Sequence, residues 1–222
     1  IGILIGGVLK GRQLMENARV AAAVAQVASV KAATDTFLRT YNGLPGDLKN
    51  AGARIPKCPN CNPVVTSGGA GNGAVGEVNW NLADAQGATG VNAPPTAIQS
   101  ETLLFWAMLN QSGLFSGVSY DGSDVSGAAV EFGIHAPAAR IGGGWIVGQA
   151  DGTPARRQPL AINYADTDLV PNGLFLVLAP SPKDPLNAAA GLQILTPLSA
   201  AAIDEKIDDG KALTGSVVGY GF

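Results

Sequence analysis

From about Gly11 to Tyr41 the chain reads RQLMENARVAAAVAQVASVKAATDTFLRTY, with no proline and no internal glycine. Alanine and unbranched helix formers dominate it, so a single long helix is the expectation. Val20, Ala23, Val27, Val30, Thr34, Phe37 and Tyr41 recur in steps of three or four and make one stripe, with Val24 and Leu38 beside it. The opposite side carries Ala22, Ala25, Ser29, Ala32 and Ala33, a small-residue face that lets other helices approach closely. Lys31, Asp35 and Arg39 form an i, i+4 line between the two.

Ahead of this helix, Ile1 to Leu9 (IGILIGGVL) carries no charge, and Lys10 is the first ionisable side chain. A helix of that length spans about 14 Å against a bilayer core of about 30 Å, so it does not cross a membrane alone. It is either a short buried turn or the end of a longer apolar segment. The chain starts with Ile and not Met, and the expectation is that some N-terminal part has been removed. A continuous helix from Ile1 to Tyr41 would be about 60 Å long, more than a compact domain of this size requires. The plain reading is an N-terminal helix of a globular protein, but continuity of the uncharged start with about 30 further helical residues favours one stripe packing on the chain's own sheet. Ile1, Ile3, Leu4, Ile5, Val8 and Leu9, with Ala22, Ala25 and Ala32, are then left to contact other subunits.

Charged residues are 14% of the 222, against about 25% in ordinary soluble domains, while 30 are glycine and 46% are hydrophobic. A net charge of −3 argues against dedicated nucleic-acid binding, which needs a concentrated basic surface. His135 is the single histidine, which removes most zinc sites and every catalytic arrangement needing a second imidazole. No G-x-S-x-G occurs, and the run Gly68 to Gly73 lacks the Lys-Ser/Thr of a phosphate-binding loop. The chain is read as a non-enzyme. Its length suits one domain with a sizeable core.

Asn42 to Asp47 ends the helix, with Gly43 suited to a left-handed cap and Pro45 unable to continue it. Ala51 to Pro95 is read as a long Gly-, Asn- and Pro-rich loop, and Ala97 to Gln111 as a second helix capped by Ser100 or Thr96. Ala128–Ile134, Gly144–Gln149, Leu160–Asn163 and Leu174–Leu178 read as strands of an antiparallel sheet. A third helix, from Thr196 or Ser199 to Ile207, precedes a turn and a last short strand. The fold class is therefore α+β, divided into an N-terminal helix over 1–41 and a globular part over 42–222.

Cys58-Pro59-Asn60-Cys61 admits a redox pair, half a zinc site or a disulfide-closed loop. Its Gly/Pro-rich setting, with no second pair and no following His, favours a structural disulfide of Cys58 with Cys61 in an oxidising compartment, against free thiols. Asp204, Asp208 and Asp209 at the end of the third helix admit two readings. They are either oxygen ligands for Ca²⁺ or a polar helix terminus capping its own turn. Negative charge there opposes the helix dipole, so a cation, Lys206, Lys211 or Arg140 is expected to compensate. His135 reads as a surface or hydrogen-bonded structural residue.

Three segments, taken together, resemble one family. IGILIGGVLKGRQLMENARVAAAVAQVASVKAA is similar to the later part of the N-terminal helix of type IV pilins and type II secretion pseudopilins. YNGLPGDL and SETLLFWAMLNQSGLFSG resemble the LPGD and E..LFW..L..AGL..G segments of a pilin-like group with prepilin-type cleavage and methylation. AAAIDEKIDDGKALTGSV resembles that group's closing A..ID.KIDDG.P.TG.V motif. The likeness spans both ends and the second helix, without Ala51–Pro95 or the central strands. The family's leader, processing site, N-methylated first residue and nearby glutamate would lie upstream of Ile1.

The resemblance implies a long helix packed on an antiparallel sheet, and a structural subunit of a helical extracellular or periplasmic filament of a bacterium. It implies insertion in the inner membrane before assembly. Expected partners are copies of the same chain and the pilus or secretion assembly machinery. It implies no cofactor except calcium, which some pseudopilins bind near the C-terminus and which raises the cation option for Asp204, Asp208 and Asp209. The alternative from the residues is a soluble extracellular adhesive or carbohydrate-binding module presenting Trp80, Trp106 and Trp145 on one face.

Overall fold

The alanine-rich, glycine-free sequence after Gly11 and the apolar start before it, which carries Gly6 and Gly7, form one unbroken helix without proline, α1, Gly2–Tyr41, whose 40 residues extend about 60 Å. The computed structural model describes residues 2–63, 70–73, 75, 101–123, 130–150, 173–180, 194–211 and 214–217. After α1 come α2 (Ala51–Arg54), α3 (Glu101–Gln111), β1 (Gly144–Ala150), β2 (Gly173–Ala179) and α4 (Pro197–Ile207). A long N-terminal helix with a small antiparallel sheet makes the chain broadly α+β.

The left-handed residue closing α1 is Asn42, at φ 49°, and not the expected Gly43. Asparagine tolerates that region, and its N–H donates to the Leu38 carbonyl at 2.9 Å, so the cap forms one residue earlier. The turn that follows brings Gly46, at φ +86°, against the backbone at the start of α3, where any Cβ would collide with the Glu101 carbonyl. Only glycine satisfies both the angle and the contact.

One stripe of α1 enters the core. Val20, Ala23, Val30 and Phe37 pack with Leu104, Phe105 and Met108 of α3 and Val147 of β1. Ala33, assigned from sequence to the small outer face, belongs to this core, and Leu38 lies exposed. Gln26 ties the helix to the sheet side. Its amide nitrogen donates to the Ala138 carbonyl at 3.0 Å, and its oxygen accepts from the Arg140 N–H at 2.9 Å.

β1 and β2 pair antiparallel, with Trp145 opposite Leu178 and Val147 opposite Leu176. The described residues hold these two strands in place of the expected four. In the Ala128–Ile134 run, 128–129 lie outside the described residues, Phe132 makes only an isolated bridge to Ala136, and residues 133–135 turn, with Gly133 at φ 87° and the Glu131 carbonyl accepting from the N–H groups of Ile134 and His135. Leu160–Asn163 lies outside the described residues, as do 97–100 of the second expected helix and most of the Ala51–Pro95 loop, which opens with the short helix α2. Thr214 to Val217 form no strand.

Insertion in an inner membrane is overturned. Among the described residues no helix is long and apolar enough to cross a membrane. Length is not what α1 lacks: Lys10, Arg12, Glu16, Arg19 and Lys31 interrupt every stretch approaching the roughly 20 uncharged residues a span requires. The localisation inferred through that insertion falls with it.

Candidate functional site

Burial along α1 divides it in two. Its first buried side chain is Val20, and everything described before it projects beyond the core. In that projecting part Ile5, Val8 and Leu9 are 56%, 64% and 61% exposed, and Leu14 and Met15 are exposed as well. Single exposed apolar residues are ordinary, but a contiguous group on one helix end marks an interaction surface. Ile1 and the side chains of Ile3 and Leu4 lie outside the described residues. Ala22 is half-buried, while Ala25 and Ala32 are exposed on the outer face of the helix.

The base of the projection is held by α4. Pro197 opens that helix, and the Thr196 hydroxyl accepts from the Ser199 N–H at 3.1 Å, the usual N-cap arrangement. The buried Ser199 hydroxyl then donates to Glu16 of α1. Next to it, Leu198 stands 84% exposed, more than any other large hydrophobic described.

Past α4 the acidic cluster folds on itself. Asp208 accepts backbone N–H bonds from Ser216 and, at 3.1 Å, from Val217. Asp209 accepts from the Thr214 hydroxyl at 2.7 Å and the Lys211 N–H at 2.9 Å, and these donors hold its carboxyl below the usual range. Compensation for charge at a helix C-terminus therefore comes chiefly from the chain's own hydroxyl and N–H groups. Gly215, at φ +85°, lets the chain pass the Asp208 carboxylate, where a Cβ would collide with the carboxylate itself. Gly215→Ala is expected to cost about 1–3 kcal/mol, read as a thermal midpoint lowered by about 2–4 °C per kcal/mol.

Asp204 differs from its neighbours. It is 4% exposed, and its Oδ1 is buried without a hydrogen bond from any described residue. Oxygens of Asp204, Asp208 and Asp209 come within 4.8 Å of one another. A buried carboxylate oxygen lacking a donor, beside two further carboxylates, is chemically suited to a hard divalent cation.

The remaining motifs have structural settings. Cys58 and Cys61 are disulfide-bonded, their Cα atoms 5.3 Å apart, and both are fully buried. His135 accepts at Nδ1 from the Glu131 N–H at 3.1 Å and packs on Tyr120. Trp106 and Trp145 are buried, so they present no aromatic face to a ligand, and Trp80 lies outside the described residues.

Sequence reasoning missed what the LPGD aspartate does. The buried Asp47 carboxylate accepts N–H bonds from Gly71, Asn72 and Gly73 at 2.5, 3.0 and 2.7 Å. Gly71 and Gly73 are both in the left-handed region, which turns successive N–H groups toward one anion. The glycine-rich loop does cradle an anion, and that anion is the chain's own side chain. The signal was available in the pairing of a lone Asp after Pro-Gly with a Gly-x-Gly run.

Comparison with protein-family models, curated proteins and solved structures finds no match to this chain.

Proposed function

We propose that the chain is a structural, non-catalytic subunit of a helical filament of the type IV pilin or pseudopilin kind, assembling with copies of itself through α1. The observation that carries this reading is the helix end before Val20, which exposes Ile5, Val8, Leu9, Leu14 and Met15 and contributes no buried side chain to its own core. A single folded chain gains nothing from leaving these apolar side chains unpacked on a helix end of about 27 Å, whereas bundled copies bury them at about 1.5–3 kcal/mol per large side chain. The low charge content supports the same reading, since a surface covered by other copies needs few charges. Electron microscopy of the purified chain tests it. Helical filaments are expected, and a chain that sediments as a monomer at every concentration would sink the proposal.

Calcium at Asp204, Asp208 and Asp209 belongs to the same proposal and is supported by the donor-less, buried Oδ1 of Asp204. Millimolar calcium is expected to raise the thermal midpoint, by the equivalent of about 2.7 kcal/mol at a hundredfold excess over the dissociation constant. Asp204→Asn is expected to remove that response. An identical midpoint with calcium and with chelator would refute the assignment.

A further inference from the structure

Going one step deeper than assembly through α1, and resting on the filament reading, we infer that α4 is the surface on which α1 of a neighbouring copy docks, Ile5 meeting Leu198 and Arg12 pairing with Glu205. The exposed Leu198 sits directly after Pro197 at the start of α4, beside the Glu16–Ser199 bond. An exposed apolar side chain of the globular part therefore stands next to the residue that bonds the base of the projecting helix.

Spacing and charge identify the occupant. Leu198 and Glu205 are seven residues apart on α4, nearly two full turns, so both lie on one face about 10 Å apart. Ile5 and Arg12 have the same separation on α1 and share a face in the same way. Laid parallel, the two faces oppose apolar to apolar and cation to anion. Arg12 and Glu205 are both exposed, and neither has an ion-pair partner among the described residues. Lys10, Arg12 and Arg19 outnumber Glu16 on the projecting helix, while the exposed Glu205 supplies the carboxylate on the α4 face.

The contact cannot form within one chain. Ser199 is bonded to Glu16, eleven residues along a continuous helix from Ile5, which places Ile5 about 16 Å away along the axis. A second copy supplies what the first cannot reach.

Charge reversal of the full chain tests the docking. Arg12→Glu and Glu205→Arg should each raise the critical concentration for filament formation by at least about tenfold, because each sets like charges face to face. Combining them should return it to near the unaltered value. All of these positions are exposed, so thermal unfolding should not move, and Leu198→Ser should weaken assembly with its melting intact. Flat single variants, or a double variant no better than the singles, would overturn the docking. If Val8→Asp still abolished filaments in that case, the filament reading would stand without it. Co-sedimentation of the unassembled chain with phosphatidylglycerol vesicles, lost in Leu198→Ser, would put lipid and not a second copy on this surface and would equally overturn it.

Discussion

Val8→Asp is expected to abolish filaments while leaving the thermal unfolding of the chain essentially unchanged. In the isolated chain Val8 is exposed and precedes the first core residue of α1, so the substitution belongs with surface changes, within about 0.5 kcal/mol of neutral. In a bundle of helices the same position is enclosed. Each contact then loses about 1.5–3 kcal/mol of apolar burial and acquires a carboxylate without a partner, at a further cost of several kcal/mol. A loss of about 4 kcal/mol at every subunit contact weakens it about a thousandfold, which a growing filament does not tolerate. Val8→Leu keeps the burial and should assemble. High salt should not rescue Val8→Asp, because the penalty is desolvation and not repulsion across solvent. Filaments of normal length from Val8→Asp would mean that this end of α1 lies outside the assembly contacts.

The elements read correctly from sequence are those whose local chemistry agrees with their surroundings. α1 has no proline, α4 starts at a Thr-Pro cap, and the runs over 144–149 and 174–178 each follow a glycine and end shortly before Asp151 or Pro180. Errors arose where a nonlocal demand decided. Asn42 took the cap before Gly43 because Gly43 lies against Leu48 instead. Ala33 went to the core because a helix of this length buries a stripe wider than one line of residues. The Ala128–Ile134 run has the composition of a strand, yet Gly133 in the left-handed region turns the chain at 133–135 and leaves Phe132 only an isolated bridge to Ala136. Of the candidate sites, the acidic cluster was visible as a dense run of carboxylates. That Gly215, Ser216 and Val217 would fold back over Asp208 was not, because the donors are backbone groups and leave no trace in side-chain identity.

Phe37→Ala is expected to act in the opposite sense to Val8→Asp, lowering stability first and assembly only as a consequence. The Phe37 ring is fully buried, with its centroid 4.5 Å from that of Tyr41, in the part of α1 that packs on α3. Truncating a buried phenylalanine costs about 3–5 kcal/mol, through lost transfer energy and the cavity left behind. Against a total stability of about 5–15 kcal/mol for an ordinary domain, that is a large fraction, and the midpoint should fall by about 6–20 °C for a chain of this size. Leu38→Ala, one residue along on the exposed side, should change the midpoint little. The contrast separates two roles of one helix. If the half after Val20 holds the fold and the half before it holds the filament, Phe37→Ala will form filaments below its lowered midpoint and Val8→Asp will form none at any temperature. Normal melting in Phe37→Ala would show that α1 is not anchored through this stripe, and the division of the helix at Val20 would have to be abandoned.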